Sequence, residues 1–212
     1  MGSHAVLEPL GTLHADGLWS ALEGAPESLW TYLANGPFAT RAGLAEWVGT
    51  LAHDPTLSPY AVVVDGDPLG LLTYLRIEPP VGCIEIGWIV YSPGLQRSTA
   101  ATETIHLMLA NAFDRGYRRV EWKCDDLNAP SRSAAERYGF TYEGTFRQAS
   151  HYKGRNRDTA WFAITDAEWP ALDRSFRAWL SRDNFTADGT QRRSLREIRS
   201  ARPVRGRRDS HG

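Results

Sequence analysis

In Tyr91-Ser-Pro-Gly-Leu-Gln-Arg-Ser-Thr-Ala-Ala-Thr-Glu103, a strand-forming run gives way to a helix-forming one. The run from Cys83 to Val90 is apolar and β-branched. Beyond Ser92-Pro93-Gly94, helical spacing begins near Thr99 and continues through Thr102, Ile105, His106, Leu109 and Phe113. Small and hydroxylated residues at such a junction leave the first helical N–H groups open. Together with the positive end of the helix dipole they suit a phosphate or diphosphate. Arg97 adds a positive charge beside them. An ordinary turn in which Ser98 or Thr99 caps the helix is the plainer reading.

A second strand-to-helix passage follows. Arg119-Val-Glu-Trp-Lys-Cys124 reads as a strand, and after Asp125-Asp-Leu-Asn-Ala-Pro-Ser131 a helix carries Ala134, Ala135 and Tyr138. Asn128 is a plausible N-cap, Pro130 is tolerated in a first turn, and Gly139 can end the helix in the left-handed conformation.

These two passages resemble the GCN5-related N-acetyltransferase (GNAT) superfamily. The Gln96-Arg97-x-x-Ala100-Ala101 loop is similar to its acetyl-coenzyme A signature. The run Asn128-x-x-Ser131-x-x-Ala134-x-Glu136-Arg137-x-Gly139-Phe140 is similar to its following helix, in the form seen among ribosomal-protein N-terminal acetyltransferases. The resemblance covers roughly residues 5 to 170. It implies a mixed α/β fold with a central twisted sheet and helices on both faces. It also implies acetyl-CoA as donor substrate and a primary amine as acceptor: a protein N-terminus, an amino acid or an amino-bearing metabolite.

On that resemblance the donor contacts fall on Ile89 and Val90 and on Gln96, Arg97, Ser98, Thr99, Ala100, Ala101 and Thr102. Asn128 and Ser131 face the donor's other side. The loop departs from the family in lacking its usual glycine, with Thr99 and Ala100 in that region. Many members also carry a tyrosine four residues before the Gly-Phe glycine, where this chain has Ala135. Ser131 is therefore the candidate to hydrogen-bond the leaving sulfur, beside the simpler reading of a helix-start serine.

Glu85 is the candidate general base, acting directly or through water. It lies between Ile84 and Ile86, so strand alternation sends it to the opposite face. The alternative is that it pairs with an arginine or faces water. Trp30, Tyr32, Phe38 and Trp88, with Glu85, are the candidate acceptor-side residues. Trp30-Thr-Tyr32 and Gly36-Pro-Phe38 resemble the segment lining the acceptor entrance in this branch. The Lys153-Gly-Arg-Asn-Arg-Asp158 turn can reach the same mouth. Glu103 is expected to stabilise the N-terminus of its helix.

Composition bounds the rest. The chain of 212 residues, 42% of them hydrophobic, favours a single cored domain. No apolar run reaches the roughly 18 residues needed to span a membrane, and no secretory leader is evident. Cys83 and Cys124 are the only cysteines. Each sits in an expected strand, which suits neither a disulfide framework nor a zinc site. No histidine pair has ligand spacing, so no metal is expected, and a cytoplasmic protein is the default. Monomer and homodimer stay open.

Residues 191–212 hold eight arginines against Glu197 and Asp209, a net +6, leaving −7 elsewhere in a chain of total charge −1. The division expected is a domain over 5–180 and a solvated basic tail over 181–212. That tail leaves open a tRNA-dependent acyl or aminoacyl transferase. The altered loop leaves open a non-catalytic CoA-binding protein.

The remaining elements read as a strand at Val6–Leu10 and short helical pieces around Leu18–Leu22 and Leu29–Leu33. A helix over Ala42–Ala52 and a hairpin of Tyr60–Val64 with Leu69–Ile77 follow. A strand starts at Thr141–Gly144, strands Ser150–Tyr152 and Thr159–Ile164 flank a turn, and a helix covers Asp166–Leu180.

Overall fold

The β-branched runs pair into one sheet, and the amphipathic runs cover its faces. A computed structural model describes residues 2–201. Chain order is β1 (Val6–Pro9), α1 (Ala15–Leu22), α2 (Arg41–His53), β2 (Ser58–Val64), β3 (Asp67–Glu78), β4 (Cys83–Tyr91), α3 (Thr99–Asp114), β5 (Arg119–Asp125), α4 (Ala129–Tyr138), β6 (Thr141–Tyr152), β7 (Arg155–Thr165), α5 (Trp169–Leu180) and α6 (Leu195–Ser200). The seven strands lie in the order β1-β2-β3-β4-β5-β7-β6. Every neighbouring pair is antiparallel except β4 with β5.

Strand alternation divides the core in two. Ile84 and Ile86 of β4, and Val120, Trp122 and Cys124 of β5, face the cluster packed with Ile105, Leu109, Ala135 and Phe176 of α3, α4 and α5. Leu71, Val90 and Val63 face the other cluster, with Leu18, Leu44, Trp47 and Val48 of α1 and α2. Helices thus lie on both faces of a mixed sheet, as the resemblance implies. By the same alternation Glu85, Glu121, Lys123 and Asp125 belong to the α1/α2 face.

Two features of β4 set up the site. Its parallel pairing with β5 covers only Cys83↔Arg119, Ile84↔Val120 and Glu85↔Glu121. β4 then continues to Tyr91 alongside β3, while β5 continues to Asp125 alongside β7. Between Thr73↔Gly87 and Leu71↔Val90 the register slips, so Trp88 and Ile89 oppose Leu72 alone, and Trp88 takes a φ of 50°. This is a bulge, which bends a strand and re-aims its side chains. It turns Trp88 toward the α1/α2 cluster and Ile89 toward the α3 cluster.

Gly139 ends α4 at φ 100°, and the Phe140 N–H donates to Ala135 O at 3.0 Å. A Cβ there would collide with Leu172, so glycine serves both the left-handed turn and the close approach of α5.

Two expectations need correction. The stretch 141–152 is one strand, carrying an irregularity between Phe146 and Ser150 with Gln148 at φ 47°. Residues 181–200, expected in the solvated tail, are folded. Trp179 Nε1 donates to Gln191 Oε1 at 2.8 Å, and Asn184 Nδ2 donates to Trp179 O and Arg193 O. Ser194 and Glu197 form a capping box on α6. Leu195 enters the core, and the Arg199 guanidinium donates to Glu136 O and Arg137 O at the end of α4. The rest of the expected basic tail, 202–212, lies outside the described residues. Among the described residues no helix is long and apolar enough to cross a membrane.

Leu195 is 2% exposed, so Leu195→Ala should cost about 2–5 kcal/mol. Urea unfolding reads this directly. An unchanged midpoint would mean that α6 does not contribute to the fold.

Candidate functional site

The site begins where β4 and β5 part. From Ile86 to Tyr91, the β4 edge that faced β5 has no strand partner among the described residues. Ile89 and Val90 lie near the upper end of this wedge, which the 92–98 loop closes. The loop is shaped from within: Gln96 Nε2 donates to Tyr91 O at 2.9 Å, and Ser92 O accepts from both Leu95 N and Gln96 N. Arg97 takes a φ of 59°. Ser98 is the N-cap of α3; its Oγ accepts from Ala101 N at 3.0 Å and donates to Leu95 O at 2.6 Å.

That cap uses the Ala101 N–H, and Thr102 N donates to Ser98 O. Thr99 and Ala100, the first two residues of a 16-residue helix, have N–H groups with no intrahelical acceptor. The side chains of Ala100, Ala101 and Thr102 are buried, and of their three backbone N–H groups those of Ala101 and Thr102 are spent on Ser98. Thr102 Oγ1 is tied to α4 by an Arg137 Nη1 hydrogen bond of 3.1 Å.

Across the wedge, Asn128 Oδ1 caps α4 by accepting from Ser131 N at 3.1 Å. Ser131 Oγ accepts from Trp122 Nε1 at 3.0 Å. One lone pair of the hydroxyl is thereby fixed, which leaves the O–H as a donor. Cys124 is buried nearby, and burial pushes its thiol up, with Ser131 opposing.

At the base of the wedge Glu85 is 3% exposed. Its Oε2 accepts from Arg76 Nε at 2.6 Å and faces Lys123 Nζ at 3.1 Å. Lys123 also lies 2.7 Å from Glu121 Oε2 and 3.6 Å above the Trp161 ring. Arg119 binds Glu121 at 2.9 Å and forks onto Glu143. Glu85 Oε1 lies on the Gly87 side.

Aromatic residues line the approach over the α1/α2 face. Trp30 packs on Phe38 at 5.4 Å and on Trp47 at 6.2 Å, and Trp47 stacks with Trp88 at 6.4 Å. Gly36 passes Trp30 at φ 75°, so close that a Cβ would strike the ring. A cavity of about 100 Å³ opens beside this cluster, lined in part by Trp19, Trp30, Phe38 and Glu23.

The segment from Trp30 to Phe38 is tied across the sheet. Tyr32 OH donates to Leu127 O at 3.0 Å, and Lys153 Nζ donates to Trp30 O at 2.7 Å. Arg155 sits over the Tyr32 ring and donates to Asp125 Oδ2 at 2.8 Å. Tyr152 OH donates to the same oxygen, and the Leu127 N–H donates to Oδ1. Burial pushes the Asp125 carboxyl up, but Tyr152, the Leu127 N–H and Arg155 outweigh it and hold the group below the usual carboxylate range. Burial and the Asp125 charge push the Tyr152 phenol up to about 12. Asp125, Asp126 and Asp158 line a second cavity of about 180 Å³ with Leu127 and Asn156.

The structure therefore brings Glu85, Ile89, Val90, Thr99, Ala100 and Ser131 to one wedge, and Trp30, Tyr32, Phe38 and Trp88 to its approach. Glu103 differs from expectation: its carboxylate accepts the N–H groups of Ser3, His4 and Ala5 and so ties the N-terminal segment to α3. Arg76, Glu121, Lys123 and Trp161 escaped the sequence reading. Their signal is shared parity with Glu85, visible only once the β4/β5 and β5/β7 registers are known. Among the described residues no His, Cys, Asp and Glu cluster is placed to hold a metal ion.

Comparison with known proteins gives the family. A family model for the acetyltransferase (GNAT) domain matches residues 4–141. A GCN5-related N-acetyltransferase from Brucella melitensis is 43% identical with a TM-score of 0.92, over 95% of this chain and 93% of that one. A probable acetyltransferase (GNAT family) from Chromobacterium violaceum ATCC 12472 is 40% identical with a TM-score of 0.76, over 80% and 87%. The Salmonella typhimurium acetyltransferase that modifies the N-terminal serine of ribosomal protein L7/L12 is 21% identical with a TM-score of 0.66, over 77% and 96%. That last likeness is one of fold. No curated protein matches the chain.

Asp125→Asn should destabilise the protein by about 3 kcal/mol at neutral pH, because the change leaves buried donors poorly matched. The native carboxyl lies below its ordinary range, so its contribution is present above that range and fades as pH falls through the native value. Denaturant unfolding in both regimes checks this. The difference between wild type and variant should shrink in acid, and a constant difference would contradict the assignment.

Proposed function

The chain belongs to the GNAT acetyltransferase family, whose donor is acetyl-CoA, and on that premise we propose that it acetylates a primary amine approaching Glu85 from the α1/α2 face. The acceptor is a protein N-terminus, an amino acid or an amino-bearing metabolite. The observation that carries this reading is the parting of β4 and β5 directly after Glu85 and Glu121, in line with the open N-terminus of α3.

In this reading the N–H groups of Thr99 and Ala100 receive the donor's diphosphate, with Arg97 supplying charge from the solvent side. The β4 backbone at Ile89 hydrogen-bonds the pantetheine arm, as a missing strand would, while Val90 stays paired with Leu71 of β3. The side chain of Thr99 stands where the family usually has glycine, so the diphosphate seats against backbone on one side of that methyl-bearing residue. Gln96 shapes the loop through its hydrogen bond to Tyr91 O.

The acceptor arrives as an ammonium and must lose a proton before it can attack. Glu85 takes that proton through Oε1, directly or through one water, while Oε2 stays held by Arg76 and Lys123. The amine nitrogen forms its bond to the acetyl carbonyl carbon, the carbon–sulfur bond breaks with its electron pair leaving on sulfur, and the second proton shed by the nitrogen passes to that sulfur, giving the amide and the free thiol. Ser131 donates its free O–H to that sulfur, its oxygen fixed by Trp122. The rings of Trp30, Phe38 and Trp88 exclude water from the approach.

The test incubates acetyl-CoA with a panel of peptides with free N-termini, amino acids and polyamines, reading thiol release and the mass gain of one acetyl group. Glu85→Gln should lower kcat by about 10²–10⁴ while leaving KM for acetyl-CoA unchanged. Wild-type turnover in that variant would eliminate Glu85 as the base. Thiol release without acetylation of any amine would eliminate the acceptor class.

A further inference from the structure

We propose that Lys123 is a positioning residue for the transfer, a buried ammonium that pairs with Glu85 Oε2 and so aims the other carboxylate oxygen into the wedge. The inference rests on the reading of Glu85 as the base.

Lys123 sits two residues beyond Glu121, the last β5 residue paired with β4. Its side chain therefore reaches back across the opening between the diverging strands. The ammonium is 2.7 Å from Glu121 on its own strand and 3.1 Å from Glu85 on the other. The Trp161 ring, on the residue paired with Lys123 in β7, covers it at 3.6 Å. Two carboxylates and a ring face thus account for the three ammonium donors.

Burial decides which cation governs Glu85. The Lys123 side chain is 2% exposed, whereas that of Arg76, the other partner, is 55% exposed. A charge in the interior interacts far more strongly than one screened by water. The charged groups around Glu85 are Arg76 from β3, with Lys123 and Glu121 from β5; Arg119 and Glu143 lie behind Glu121. These residues and Glu85 comprise three cations and three carboxylates, so the set is neutral as it stands. Because both cations take Oε2, Oε1 is left on the Gly87 side, beside Leu75.

A strut that merely stitches β4 to β5 would use the same contacts. Opposite charge changes separate the two roles. Lys123→Met keeps an unbranched apolar stem against Trp161 and removes the ammonium. Glu121→Gln removes the competing carboxylate and leaves Arg119 with Glu143. A carboxylate that loses a cation needs a higher pH to ionise, and one that loses an anionic neighbour needs a lower pH.

The experiment measures kcat/KM against pH at saturating acetyl-CoA, using the amine that the wild-type enzyme acetylates fastest. The amine's own titration is common to every enzyme and cancels in the comparison. The acid limb should move upward by about one pH unit or more in Lys123→Met. It should move downward in Glu121→Gln. Should Lys123→Met fail to fold, the Glu121→Gln limb decides alone: a downward shift supports the proposal and an unmoved limb overturns it. Variants that lose kcat with the limb unmoved also overturn it and leave Lys123 a strut. An acid limb that persists in Glu85→Gln, or no amine turnover by wild type, defeats the reading of Glu85 itself.

Discussion

The parting of two parallel strands governs the rest of this structure. β4 and β5 share three residue pairs and then separate, although both continue. Backbone groups on a buried strand edge are costly when unpaired, about 1–3 kcal/mol each. A sheet keeps such an opening only if something else fixes both strands. The bulge at Trp88 and Ile89 commits β4 to β3, and seven consecutive pairs commit β5 to β7. The opening is thus imposed from both sides, and it presents a row of backbone donors and acceptors to an extended ligand.

Charge reinforces this geometry. The positive end of α3 stands at the top of the wedge, and a buried ammonium bridges its base. A donor with an anionic head and a neutral, amide-bearing arm complements such a gradient. On the acceptor side the hairpin at Lys153 and Arg155 does not offer free cations. Lys153 is spent on Trp30 O and Arg155 on Asp125, so these side chains fix the aromatic segment.

Much of this was legible in the chain. The two strand-to-helix passages, the Asp65-Gly66 hairpin, the Asn128 cap and the Gly139 stop are encoded locally by spacing and turn chemistry. What escaped depends on distant pairing. Glu85 shows its face through Ile84 and Ile86, but its partners Arg76 and Lys123 appear only when β3 and β5 are set beside β4. Strand β6 reads as two pieces in the sequence; β7 pairs with both, on either side of an irregularity between Phe146 and Ser150. The arginine-rich composition after 190 concealed a capping box, Ser194 with Glu197, and a guanidinium that finishes α4.

The most direct measurement is amide hydrogen exchange with and without coenzyme A. Protection should appear at Ile89 and at Thr99 and Ala100, where strand-edge and helix-end donors await an acceptor. Binding that protects amides elsewhere and leaves these three unchanged would contradict the account.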